Sequence, residues 1–390
     1  MGSAAVYCVI VSLLVASIPH EAYGNLGRLY TLAWCVVGVV LEKCVSLTVW
    51  ATVTRGRARY AASRYRRLHR WIHNDKVEPQ KLYGPLVRAA LAQWHHIQVD
   101  IALDTSVLWD KFVLIRASLI YRGRAIPLAW IVIEHASARV SFADYAPVLY
   151  CVARLLPSDW SVRLLADRGF CDVELILALK KLGWHYRIRA KRSLLVYRKG
   201  SRKGCKIERL LPAVGQARFV HAVYLTRHQI GPVHLALAWP APGQKEPDPW
   251  IIVSDELTNL STFDEYGLRF DIEENFLDDK SGAFQVQESE IRSASGLSRL
   301  FLVLAITTLY LVSTGVEVTQ ANLRRSVDTH WDRGLSYLQI GWRWIRRRLA
   351  LGSPLPCRLE LSPDPDPEPS RASRRQHRPP PTLTVVADVC

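Results

Sequence analysis

Two aspartates stand where short apolar runs give way to turns. Asp104 follows Ile101-Ala-Leu, and Asp167 follows Leu164-Leu-Ala and precedes Arg168-Gly-Phe. A carboxylate just past the end of a strand is a usual place for an active-site acid in an open α/β sheet, although Asp is equally at home as a helix cap or turn residue. A third group lies far downstream. Thr262-Phe-Asp-Glu265 has the spacing of a capping box, which predicts a helix beginning there. Within that helix Tyr266, Arg269, Glu273 and Lys280 fall within about 60° of one another, at roughly 100° per residue. One carboxylate, two cations and a phenol thus share a stripe. An Arg269–Glu273 pair alone would be a surface rung worth a few tenths of a kcal/mol, and that leaves Tyr266 and Lys280 without a purpose.

The segments around these residues say what holds them. Residues 97–103, 112–121 and 125–134 are rich in β-branched and apolar side chains, with Arg122-Gly123 as a tight turn between the last two. An amphipathic helix over 142–156 follows. Then come a strand over 161–166, a helix over 172–182 and a strand over 185–190. Three strands, then helix, strand, helix, strand predict an α/β fold with a mixed sheet and flanking helices. The alternation breaks over 191–260, where short strands such as 218–225, 233–239 and 250–254 are separated by Gly and Pro turns. The expected division is a helical, basic region over 1–95, the first part of a core over 96–190 and a β-rich insertion over 191–260. The core's second part, with the Glu273 helix, covers 261–318, and a basic helical region covers 319–351. A Pro-rich tail over 352–390 is expected to be disordered, because its composition cannot pack a core.

Lys and Arg total 51 against 35 Asp and Glu, a net charge of +16. Half the chain is hydrophobic, so disorder is excluded as its overall state. The charge is uneven. Residues 25–99 hold nine units of it and residues 320–351 five, while the long middle and the tail are nearly neutral. Seven arginines and no acid fall between Arg55 and Arg70, interleaved with Tyr60 and Tyr65. Arginine without a compensating carboxylate favours a polyanion such as DNA. Arg64, Arg66, Arg67 and Arg70 on the first patch, and Arg346, Arg347 and Arg348 on the second, are the expected backbone contacts. The eight cysteines include no C-x-x-C and no zinc spacing, which suits reduced thiols in a cytoplasmic protein. The apolar runs over 6–18, 33–41 and 300–312 are shorter than the ~20 residues of a spanning helix and read as core helices, so no membrane is expected. A basic membrane-surface protein is the reading from another class, and it gives the carboxylates no job.

Tyr-x2-Arg-x3-Glu-x6-Lys, matched without a gap by Tyr266, Arg269, Glu273 and Lys280, resembles the signature of bacterial insertion-sequence transposases of the DDE class, the Tyr-Arg-Glu-Lys (YREK) group. The surroundings of Asp104 and Asp167 resemble that family's first and second acidic motifs, and the likeness covers about residues 25–350. It implies a ribonuclease-H-like catalytic core, with a β-rich insertion before the helix of the third acid. It implies that Asp104, Asp167 and Glu273 hold two Mg2+ ions, with Mn2+ as a substitute, since hard cations prefer oxygen ligands. The activity implied is cleavage of element ends and strand transfer of the cut-and-paste type. The partners implied are double-stranded DNA with terminal inverted repeats, target DNA and a second copy of the chain in a synaptic homodimer. Tyr266, Arg269 and Lys280 resemble residues that hold phosphates near the cut, with Arg168 beside them. Trp239 and Trp250 are candidates to hold a flipped base. Asp328 and His330 read as structural. The alternative within the same class is an inactive or nuclease-only DNA-binding relative.

Overall fold

The computed structural model describes residues 2–239, 248–370 and 383–386. The chain opens with helices α1 (Gly2–Ser17), α2 (His20–Tyr23), α3 (Leu26–Glu42), α4 (Leu47–Val53), α5 (Ala61–Ile72) and α6 (Pro79–Ala90). The Asn25 side chain starts α3 by accepting the Gly27 N–H, satisfying one of the helix's free donors. These helices share the core of the rest of the molecule. The α1 residue Tyr7 stacks on Trp34 at 4.2 Å, and Tyr83 meets Trp130 edge-on at 5.4 Å.

A meander follows: β1 (Gln98–Leu108), β2 (Phe112–Tyr121) and β3 (Arg124–Glu134). Both of its turns have consecutive residues of positive φ, Trp109–Asp110 in a three-residue loop and Arg122–Gly123 in a two-residue one, the backbone that matches strand twist in tight hairpins. Next come α7 (Phe142–Leu155), β4 (Ser161–Ala166), α8 (Val173–Leu182) and β5 (His185–Arg189). β1 pairs antiparallel with β2 and parallel with β4, and β4 pairs parallel with β5. The order β3-β2-β1-β4-β5 is that of a ribonuclease-H-like sheet, as expected.

The β-rich stretch contributes β6 (Leu195–Tyr197), β7 (Cys205–Lys206), β8 (Gln216–Leu225), β9 (Ile230–Ala238) and β10 (Trp250–Ser254). These strands widen the same sheet. β10 lies antiparallel against β5, and β9, β8, β6 and β7 follow outward. β10 then hands the chain to α9 (Ser261–Gly267) and α10 (Phe270–Leu277), after which come α11 (Ala294–Gln320) and α12 (Tyr337–Ala350). α11 is long and apolar enough to cross a membrane, yet 94% of its apolar window is buried by the protein around it, as a core helix requires. α11 and α12 cross with their backbones touching: a side-chain carbon on Gly341 would lie 1.9 Å from the Leu311 carbonyl oxygen.

Three expectations change. Asp104 does not end its strand; β1 runs on to Leu108, and Asp104 pairs with Arg116 inside the sheet, because the chain must reach the β1–β2 turn. The capping box is not formed. The helix starts at Ser261, the Thr262 hydroxyl accepts the Asn259 N–H, and the Glu265 carboxylate turns to buried arginines instead of the backbone. Finally, residues 352–370 are not a disordered tail. They form an extended strap whose carbonyls accept hydrogen bonds from buried aromatic donors: Trp94 Nε1 to Leu361 at 2.6 Å, and Tyr121 to Ser362 and Tyr310 to Pro356 at 3.1 Å. Leu361 is buried. Asp366 binds Arg333 at 2.8 Å and the Tyr337 hydroxyl at 2.6 Å, and Glu368 binds Arg324 at 2.5 Å. Proline-rich chain suits an extended strap that needs few backbone donors. Past residues outside the description, β11 (Thr384–Val385) pairs parallel with β8.

Candidate active site

Asp104, on β1, and Asp167, just after β4, lie on adjacent parallel strands, with Leu103 in register with Ala166. α9 and α10 lie on the sheet face that carries Asp104 and bring Glu273 to it. Arg269 joins the two acids. Its Nη1 donates to Asp104 Oδ2 at 2.8 Å and its Nη2 to Glu273 Oε1 at 2.5 Å. The guanidinium is 5% exposed and rests on the Phe270 ring at 4.8 Å, whereas Glu273 is half exposed. The Asp104 carboxylate also accepts the Thr105 N–H at 2.8 Å. Asp167 has a buried oxygen, Oδ1, with no hydrogen-bond partner among the described residues.

The electrostatics show that these groups feel one another. Burial pushes the Asp104 carboxyl up to about 6; Arg269 and the Thr105 N–H pull it down, and Glu273 and Asp167 push it up again. Burial works against the Arg269 cation, but Tyr266, Asp104, Glu273 and Asp167 outweigh it and raise its pKa above the ordinary value. Tyr266 is buried in a small apolar cluster with Ala217, Ala236, Ala238, Ile252 and Phe263. Burial pushes its hydroxyl up to about 12, against the pull of the Arg269 guanidinium beside it.

The expected stripe is therefore partly realised. Tyr266, Arg269 and Glu273 gather, but the helix is in pieces. It tightens into three-residue hydrogen bonds at Leu268–Arg269 and widens into a π turn over Asp278–Gly282 that contains Lys280. A uniform 100° per residue does not carry through to Lys280. Arg168 is exposed and pairs at 3.0 Å with Asp248, which Arg189 and Arg192 also hold. Trp250 packs against Phe263, Tyr266 and Phe270, and Trp239 lies under Arg192.

On the N-terminal patch, Arg66 and Arg70 are exposed. Arg64 spends its guanidinium on the Ala51, Ala58 and Arg59 carbonyls, and Arg67 donates to Thr31. On α12, Arg346 and Arg347 are exposed and Arg348 donates to the Pro354 carbonyl. Asp328 is buried and accepts from Arg324, His330 and Gly334, the structural role read from the sequence.

Sequence reasoning missed Glu265 as anything but a cap. Its carboxylate takes Arg163 Nη1 at 3.0 Å and Arg187 Nε at 2.7 Å. A signal was available: Glu265, Arg269 and Glu273 are spaced i, i+4, i+8, which in a continuous helix puts them on one face. A separate cluster of His185, Asp255 and Glu256 sits at the far end of β5. Its acids are already partnered, Asp255 by His185 and the Tyr186 N–H and Glu256 by Arg187.

A family model described as "Transposase DDE domain" matches residues 111–310, half of the chain. The chain belongs to the DDE transposase family. It is therefore an enzyme of DNA transposition, in a family that works with divalent metal ions. The matched span of this transposase holds Asp167, Tyr266, Arg269, Glu273 and Lys280 and begins after Asp104. Among solved structures, a piggyBac transposase determined by cryo-electron microscopy as a synaptic complex with hairpin DNA is similar over 95% of this chain and 88% of its own. The identity is 11% and the TM-score 0.43. No protein of curated function matches.

The donor set fits a divalent metal. Three carboxylates supply only oxygen ligands, the class hard cations prefer, and the orphaned Asp167 oxygen lacks the partner that a buried acceptor requires.

Proposed function

We propose that this transposase cuts the ends of an insertion sequence and transfers the freed strand to target DNA by a cut-and-paste route, as a member of the YREK group. Asp104, Asp167 and Glu273 are its metal-binding acids, for two Mg2+ ions, with Mn2+ as substitute. The observation that carries this reading is the Arg269 bridge. Residues separated by 165 positions, Asp104 and Arg269, are joined at 2.8 Å, and the same guanidinium holds Glu273. Held by these three acids, divalent ions would supply activation of an oxygen nucleophile and relief of charge at phosphorus. The chain's own part is to fix the acids on rigid strands and a helix pinned to the sheet. Asp104, on β1, would hold metal together with Asp167 and Glu273, both of which it feels electrostatically.

DNA backbone contact falls to the exposed Arg66, Arg70, Arg346 and Arg347, with Arg64, Arg67, Arg168 and Arg348 beside them. Arg269 and Tyr266 are buried in this state, so a phosphate role for them requires the end to enter the site. A homodimer would join two inverted-repeat ends, at work on chromosomal DNA in the bacterial cytoplasm. Residues 1–95 and 319–351 are the DNA-contacting regions of this reading.

Incubation with the element's own terminal repeats and Mg2+ tests it. Nicking should vanish in Asp104→Ala, Asp167→Ala and Glu273→Ala while end binding in a gel shift is retained. Normal cleavage by Glu273→Ala would remove Glu273 from the triad and move attention to Glu274 or Asp271. Hairpin-capped ends in the same assay would identify first attack on the opposite strand.

A further inference from the structure

α9 and α10 meet the sheet through two successive sets of ion pairs. At the active site, Arg269 comes from the helix and ties Asp104 to Glu273. One helical turn earlier the arrangement is inverted: the cations come from the sheet. Arg163 on β4 and Arg187 on β5 converge on one oxygen of Glu265. Arg163 also holds Asp100 through two nitrogens, at 2.6 and 3.1 Å. Arg187 also reaches Ser254 and Glu256. Asp100 and Asp104 lie four residues apart on β1, so the two rungs are spaced by about 13 Å along the strand. Beyond Glu273 the helix is pinned again. Arg116 binds Asn275 at 2.6 Å and Asp279 at 2.7 Å, and Arg124 binds Glu274 at 3.0 Å.

Glu273 is thus suspended between two anchors, and the joint at Leu268–Arg269 makes the first of them matter. There the backbone bonds reach back three residues, from Arg269 to Tyr266, from Asp271 to Leu268 and from Ile272 to Arg269. A tightened joint does not transmit the pitch of one segment to the next as a continuous helix would. α9 must be fixed by its own contacts. Arg163 and Arg187 are 9% and 4% exposed, and buried cations of this kind hold a carboxylate in one place.

We infer that Glu265 is a positioning residue for the third acid: clamped by Arg163 and Arg187, it sets where α9 lies on the sheet and so where Glu273 meets Asp104. The inference rests on the metal-binding reading of Asp104, Asp167 and Glu273. Glu265 itself touches none of the three.

Binding of Mn2+ to the full chain, followed by the electron paramagnetic resonance of free Mn2+ and without DNA, separates the two claims. Equal affinity in the parent chain and Glu273→Ala would defeat the triad reading and leave Glu265 aside. Given weaker binding in Glu273→Ala, Glu265→Gln should bind Mn2+ about 10-fold more weakly than the parent. Its end cleavage should need proportionately more metal and recover at saturation, with end binding unchanged. Glu265→Asp keeps the charge but withdraws it by one methylene, so a smaller weakening there marks an effect of position. Unchanged Mn2+ affinity in Glu265→Gln, or cleavage lost without recovery at high metal while affinity is unchanged, overturns the inference.

Discussion

The Tyr266 hydroxyl is buried beside the acids without a well-formed hydrogen bond among the described residues, and such an atom costs stability. Tyr266→Phe should therefore be as stable as the parent chain or more so, by up to about 1 kcal/mol, while end cleavage falls if the hydroxyl meets a phosphate. Thermal melts and the cleavage assay on one preparation check both halves. A loss of stability beyond that amount would show that the hydroxyl has a partner in the resting protein. At this scale the sequence was readable for residue types and spacing but not for direction. Asp104, Asp167 and Glu273 were found as acids; that Arg269 turns inward to join two of them was not. Glu265 was misread because a capping box and a buried ion pair place the same residue at the same spacing. The two arginines that decide between them lie 102 and 78 positions away, at Arg163 and Arg187.

Among elements, the strands were the most legible. β2 and β4 have the expected bounds, and β5 and β10 differ by no more than a residue, because β-branched runs bounded by turn residues leave few choices. The helix that carries Glu273 was the least legible, since its tightened joint and its π turn answer to what lies beneath them. Asp278 heads that turn and is nearly buried, with Arg124 3.6 Å away. Burial pushes its carboxyl up to about 6, against the pull of Arg124. A carboxyl raised in the folded state, against an ordinary value near 3.8, binds protons in the fold that the unfolded chain releases. Its contribution to stability is thus largest at low pH and is lost as pH rises through that window. Asp278→Asn should consequently gain stability relative to the parent chain between pH 4 and pH 7, on the order of 2 kcal/mol. Paired urea unfolding curves at several pH values measure the difference. A difference independent of pH would mean that the Asp278 carboxyl is not raised.

Across the whole molecule, the charge asymmetry seen in the sequence takes on a different meaning. Part of the second basic patch is answered within the chain: Arg324 pairs with Asp328 and Glu368, and Arg333 with Asp366. The cations left exposed on α12 include Arg346 and Arg347. The sequence hid this because the strap's acids look like those of any solvated, proline-rich tail until they meet arginines across the fold. Deleting residues 353–390 should lower the thermal midpoint by roughly 3 °C or more, since the Trp94, Tyr121, Tyr310 and Tyr337 donors all lose their acceptors. A differential scan of the shortened chain reads this directly, and an unchanged midpoint would show that the strap is a passenger.

The strap also bears on timing. Leu361 and its neighbours dock between Ala90, Trp94 and Tyr121, residues made some 240 to 270 positions earlier. While the chain is being synthesised, that seam stays open until Leu361 and its neighbours have left the ribosome. A message broken or stopped anywhere before Leu361 therefore yields a product whose Trp94 indole and Tyr121 phenol face water in search of acceptors. The strap works as a clasp, and a copy that lacks it should be cleared faster by the cell's proteases.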